Sequence, residues 1–210
     1  MSISLDGLNA QMVGDVGQRS VADGSVNQKV RLDRQTSLLV SGLHGKYTEQ
    51  ALRGNIFSVA NQAVVALSAA LSTTYTGLCI GNPTNSSVNM SLIEVGWAFG
   101  IKQNQSCVLG VMTTTMISTD TAAQAIAPRN ALVGGRKSVM LADDAATINT
   151  PVLERVVGSH LENTLVTNGP YIYSFDGTLI VPPGGLVAFY ASAAVEAGCI
   201  IHFVWEEIPV

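Results

Sequence analysis

The stretch Cys199-Ile200-Ile201-His202-Phe203-Val204-Trp205-Glu206-Glu207 decides the fold. It is rich in β-branched and aromatic residues and contains no turn former, so it reads as a strand. One face carries Ile200, His202 and Val204, the other Ile201, Phe203 and Trp205, and both look buried until Glu206 and Glu207. A strand of an antiparallel sandwich ordinarily keeps one wet face. Two apolar faces predict that one meets the opposite sheet and the other a neighbouring subunit. Leu186-Val187-Ala188-Phe189-Tyr190-Ala191 has the same two-sided character. Ile201, Phe203, Trp205 and Phe189 are therefore the candidate subunit-interface residues, with three-fold packing expected and a dimer as the alternative.

Upstream, similar short runs recur between Gly, Pro, Asn and Ser clusters. Strands are expected near 56–59, 64–67, 74–80, 89–99, 106–114, 138–142, 152–157, 171–175, 178–181, 186–191 and 199–206. Gly81-Asn-Pro-Thr-Asn-Ser-Ser reads as a loop, Phe175-Asp176-Gly177-Thr178 as a tight hairpin, and Pro182-Pro-Gly-Gly as a turn. The segment 60–72 also fits a helix, because Val64, Leu67 and Leu71 share a helical face. Short strands with frequent turns and no alternating helices predict an all-β fold, an antiparallel jelly roll or β-sandwich. The sandwich is expected to span 55–210. It follows an extended N-terminal arm, 1–54, that holds at most short helices.

Charge supports that division. Eleven charged residues fall in the first 58 positions and only fifteen in the remaining 152. The segment up to Val26 has little hydrophobic patterning. A short helix is expected over 29–40. A better helical turn is 46–53, bounded by Gly45 and Gly54 and pairing Glu49 with Arg53.

Over 210 residues, 47% are hydrophobic and 12% charged, against a usual charged share of roughly 25%. With a mean hydropathy of +0.32, a solvated disordered chain is excluded. No apolar run approaches the roughly 20 residues of a membrane span, so no membrane partner is expected. A net charge of −4 leaves no footprint for nucleic acid. So apolar a chain, with no span, predicts burial against other subunits. The first residues lack the basic and apolar regions of a signal peptide. The odd count of cysteines in apolar settings (Cys79, Cys107, Cys199) then reads as small buried hydrophobes in a protein made in a reducing cytoplasm. On the same ground the glycosylation-type sequences at Asn85, Asn89 and Asn104 are discounted.

Catalytic chemistry is scarce. His44, His160 and His202 have no metal-ligand spacing, and no cysteine pair accompanies them. His202, between Ile201 and Phe203, is expected to be a satisfied core or interface histidine. Gly134-Gly-Arg-Lys-Ser misses the phosphate-loop spacing and reads as a solvated turn. Asp143-Asp144 is expected to cap a loop, in preference to binding Ca²⁺. Glu206-Glu207 is expected to be a charged edge that blocks aggregation of the last strand. A glycan hydrolase needs paired carboxylates in a cleft, and the acids here are scattered. No enzyme activity and no cofactor or metal are expected.

Four spaced blocks carry a resemblance. They are Gly45-Lys-Tyr-Thr-Glu-Gln-Ala-Leu-Arg-Gly-Asn-Ile-Phe-Ser-Val-Ala-Asn-Gln-Ala, Tyr75-Thr-Gly-Leu-Cys-Ile-Gly-Asn-Pro-Thr, Ile180-Val-Pro-Pro-Gly-Gly-Leu-Val-Ala-Phe-Tyr and Phe203-Val-Trp-Glu-Glu-Ile-Pro-Val. In this order they resemble jelly-roll structural proteins of tailed bacteriophages, over about residues 45–210. The resemblance implies a virion protein. The expected function is that of a capsid decoration or cement protein: a homotrimer on the shell, with the major capsid protein or another virion protein as partner. In that role the arm would reach across neighbouring capsid subunits, ordering on the particle. The alternative is a fibre or spike component that recognises the host through surface loops. Most of the aromatic residues fall in expected strands, so no aromatic sugar platform is evident.

Overall fold

The structure is a computed structural model that describes residues 45–101, 103, 105–115, 126–161 and 170–210. The arm over 1–44 and the helix expected within it lie outside the described residues. The chain divides into Met1–Gly45 and Lys46–Val210, and the second unit is the sandwich. The helical turn α1 (Thr48–Leu52) belongs to this unit, although its sequence groups it with the arm. Lys46 Nζ and Tyr47 Oη both donate to Asp176 Oδ1, at 2.5 and 3.1 Å, and hold the turn against the strand that carries Asp176.

Among the described residues eleven strands follow: β1 (Ile56–Ala60), β2 (Val65–Leu67), β3 (Thr74–Gly81), β4 (Val88–Phe99), β5 (Cys107–Thr114), β6 (Arg129–Asn130), β7 (Leu141–Thr147), β8 (Val152–His160), β9 (Tyr171–Val181), β10 (Leu186–Ala191) and β11 (Val195–Pro209). They form two antiparallel sheets. One runs β6-β1-β11-β4-β9, with β2 also on β11, and the other runs β7-β3-β10-β5-β8. The pairs β1–β11, β3–β10, β4–β9 and β5–β8 are nested, first strand with last and so inward. That is a long antiparallel ribbon rolled up on itself, which is a jelly roll. The helical alternative over 60–72 gives way to β2, whose Val65 and Leu67 pair with Cys199 and Val195 of β11.

The core lies between the sheets. Phe57, Leu78, Ile80, Leu92, Val111, Val187, Phe189, Ile201, Phe203 and Trp205 are among its fully enclosed members. Phe57 stacks on Trp205 at 6.1 Å, and Trp97 packs on Phe189 at 5.6 Å. β10 is buried on both sides within the single chain, where its sequence predicts a neighbouring subunit against one of them. Val187 and Phe189 face the main core, while Leu186 and Ala188 join Tyr75, Cys79, Met112 and Ile148 in a satellite cluster.

The motif residues fasten the fold. Asn82, at the Asn-Pro strand end, is wholly buried. Its Nδ2 donates to the Val88 and Val181 carbonyls, and its backbone joins the Pro-Pro-Gly-Gly turn through Gly184 and Gly185. One amide thus joins the ends of β3, β4 and β9.

Three expectations are corrected. Phe175-Asp176-Gly177-Thr178 is no hairpin: β9 continues through it, with Ser174 opposite Glu94 and Leu179 opposite Leu92. Asp176 (φ 51°) and Gly177 (φ 77°) turn left-handed, and Thr178 Oγ1 closes the bulge on the Phe175 carbonyl at 2.7 Å. The Asp-Gly signal marks a left-handed preference, which a bulge uses as well as a hairpin does. Asp143-Asp144 lies inside β7 and does not cap a loop. Asp143 is buried, and its Oδ1 accepts from the backbone N–H groups of Asp144 and Ala145. The 138–142 strand begins instead at Leu141, because Ser138 and Val139 are drawn onto Glu207.

Candidate interaction surface

Ile201, Phe203, Trp205 and Phe189 are each 0% exposed within the single chain. The candidate interface is corrected accordingly: these side chains fill the sandwich core and present nothing to a neighbour. The reading failed because β11 alternates more cleanly than its composition suggests. Ile201, Phe203, Trp205 and Glu207 point inward, and Ile200, His202, Val204, Glu206 and Ile208 point outward.

Exposed apolar side chains stand on β8 (Val152, Val156) and on the outer face of the β1-β11-β4-β9 sheet. Strand register sets its rows: Ala60, His202, Gly96 and Ile172 form one, and Ser58, Val204, Glu94 and Ser174 the next. Ile56, Glu206, Ser91 and Ile180 form a third. Four isoleucines stand out on this face: Ile172 is 62% exposed, Ile180 54%, Ile200 43% and Ile208 38%. Two carboxylates, Glu94 and Glu206, lie among them. Burial raises the Glu206 carboxyl above its ordinary range. His202, expected in a core or interface, lies half-exposed on this face. Its ring covers Gly96, leaving no room for a β-carbon there, and Nε2 is 3.6 Å from Glu94 Oε1. Beside it a half-open hollow of about 320 Å³ is lined by Ser58, Gln62, Arg129, His202 and Val204.

Glu207 overturns the expectation of a charged edge. β11 is interior to its sheet, and Glu207 is 0% exposed. It accepts from Arg136 Nη1 at 2.6 Å, Ser138 Oγ at 2.5 Å and the Val139 N–H at 3.1 Å. Arg136 also lies over the Phe57 ring, 4.7 Å from its centre, and reaches Asn55. The Gly-Gly-Arg-Lys-Ser stretch, expected as a solvated turn, is therefore tethered to the core through Arg136 and Ser138.

That tether shapes a loop over 131–140. Asn130 bridges it from below, its Nδ2 donating to the Gly54 and Arg136 carbonyls and its Oδ1 accepting from the Leu132 N–H. Gly135 N–H bonds back to the Leu132 carbonyl at 2.7 Å, and Gly134 takes φ 82° at the tip. Val133 is held out at 96% exposure and Leu132 at 41%. Sequence reasoning missed this knob, although a signal existed. Three of the five basic residues after position 58 fall within 129–137.

The three cysteines all lie among the described residues. Cys79, Cys107 and Cys199 are free and buried. Burial pushes the Cys79 and Cys199 thiols up to about 12 and raises Cys107. His160 pairs in register with Cys107, but burial lowers its pKa, so the pair is a neutral thiol beside a neutral ring. Among the described residues no three His, Cys, Asp or Glu side chains converge as metal ligands. No family model, curated protein or solved structure matches the chain.

Proposed function

We propose that this chain is a non-enzymatic structural protein of a tailed-bacteriophage virion, a decoration protein that binds the assembled shell as a trimer and stabilises it. The observation that carries the reading is the outer sheet face. Four isoleucines stay 38–62% exposed there on a domain whose core is complete without them. Exposed apolar side chains on a sheet whose core is already closed are available for contact with a partner. The four sequence blocks that resemble phage jelly-roll proteins supply the class of particle.

The mechanism needs no reacting group. A protein that binds the assembled shell and not its free subunits stabilises the shell by RT ln(1 + [L]/Kd), about 2.7 kcal/mol per site at a hundredfold excess over Kd. A trimer that touches several capsid subunits gains further, because its second and third contacts are intramolecular. The charged segment 1–44 is the proposed anchor across neighbouring capsid subunits.

Locating the protein on the particle tests this. Gold-labelled antibody or cryo-electron microscopy should find many copies spread over the shell. A few copies confined to the tail would overturn the decoration role in favour of a host-recognition fibre or spike.

A further inference from the structure

Among the described residues, two exposed surfaces complement each other. The loop over 131–137 presents an apolar tip, Leu132 and Val133, and the exposed Lys137. Turn hydrogen bonds and the Arg136–Glu207 pair fix its shape, so docking it costs little ordering. The outer sheet face presents exposed isoleucines around two carboxylates, Glu94 and Glu206. After position 58 the chain has ten acidic and five basic residues, so the loop is a basic site on an acidic domain. Like copies would repel except where this loop meets that face.

We infer that the 131–137 loop of one copy docks on the outer β1-β11-β4-β9 face of a second copy, with Leu132 and Val133 on the isoleucines and Lys137 toward Glu206 or Glu94. The contact is heterologous, since the loop and the face are different patches. Such contacts close into a ring when the rotation permits. Closure at three rests on the trimeric decoration reading; the loop-to-face junction does not.

The test uses two variants of the full chain and light scattering at increasing concentration. Val133→Asp/Lys137→Glu alters the loop tip, and Ile172→Asp/Ile180→Asp alters the face. All four positions are exposed, and thermal melts check that each variant is folded. The wild type should have the mass of three chains and each variant that of one. An equimolar mixture should form a 1:1 dimer, because one intact loop still meets one intact face and the chain of contacts then stops. A monomeric wild type, a loop variant that keeps the wild-type mass, or a mixture that stays monomeric would each overturn the junction. Should the face variant fail to fold, the loop variant mixed with excess wild type decides instead: capped assemblies smaller than the closed ring support the junction, and unmixed species overturn it. Shell binding is scored separately. A confirmed junction without shell binding would sink the decoration role alone, whereas shell stabilisation by a protein lacking the junction would sink only this inference.

Discussion

Arg136 and Glu207 form a lopsided pair: the guanidinium side chain is 41% exposed and the carboxylate 0%. Replacing Arg136 by Met leaves a buried charge with only the Ser138 hydroxyl and the Val139 N–H to solvate it. Breaking a buried pair from one side typically costs about 3–5 kcal/mol, and removing both charges costs far less. Arg136→Met should therefore lower the urea midpoint sharply, and Arg136→Met/Glu207→Met should recover most of the loss. His160 gives a pH signature. Its Nε2 is buried without a partner, and burial lowers its pKa. The unfolded chain then takes up a proton near the ordinary value of about 6.5 while the folded chain resists it. Stability should fall as pH drops below that value, and His160→Gln should lose less between pH 7.5 and 5.5. A variant with the same pH slope as the wild type would show that His160 carries none of it. Neither role was legible in the sequence. Glu207 looks like a surface acid because its counter-charge lies 71 positions upstream, and no local pattern links the two.

Strands were the legible level. Alternation and β-branched composition place ten of the eleven strands near their observed positions; the two-residue β6 was not anticipated. A strand that short carries no period, and only its pairing with Phe57 and Ser58 defines it. Phase was harder than position. The outward residues of β11 include Ile200, Val204 and Ile208, so composition alone cannot say which face is wet. The β9 bulge shows the same limit, because Asp176-Gly177 specifies a left-handed turn without specifying whether the chain reverses. At Gly177 a β-carbon would sit 3.1 Å from Ser91 Oγ on a backbone of φ +77°. Gly177→Ala should cost about 1–2 kcal/mol. That should lower the melting temperature by a few degrees in calorimetry, with no change in the sandwich's circular dichroism. An unchanged melting temperature would mean that the bulge relaxes freely.

For the whole molecule, the number and rhythm of strands implied the rolled sandwich, and the low charge implied a surface made for association. The residues assigned to that association were wrong for one reason. The largest apolar side chains close the core, and the proposed contact surface is left with isoleucines on a sheet face and a two-residue loop tip. The proposed role stands or falls on particle stability. The most direct measurement compares genome release on heating from particles assembled with and without this protein. Decorated particles should release DNA at a higher temperature, and adding purified protein to bare particles should restore the difference in proportion to occupancy. Particles equally stable without the protein, but unable to adsorb to cells, would contradict it.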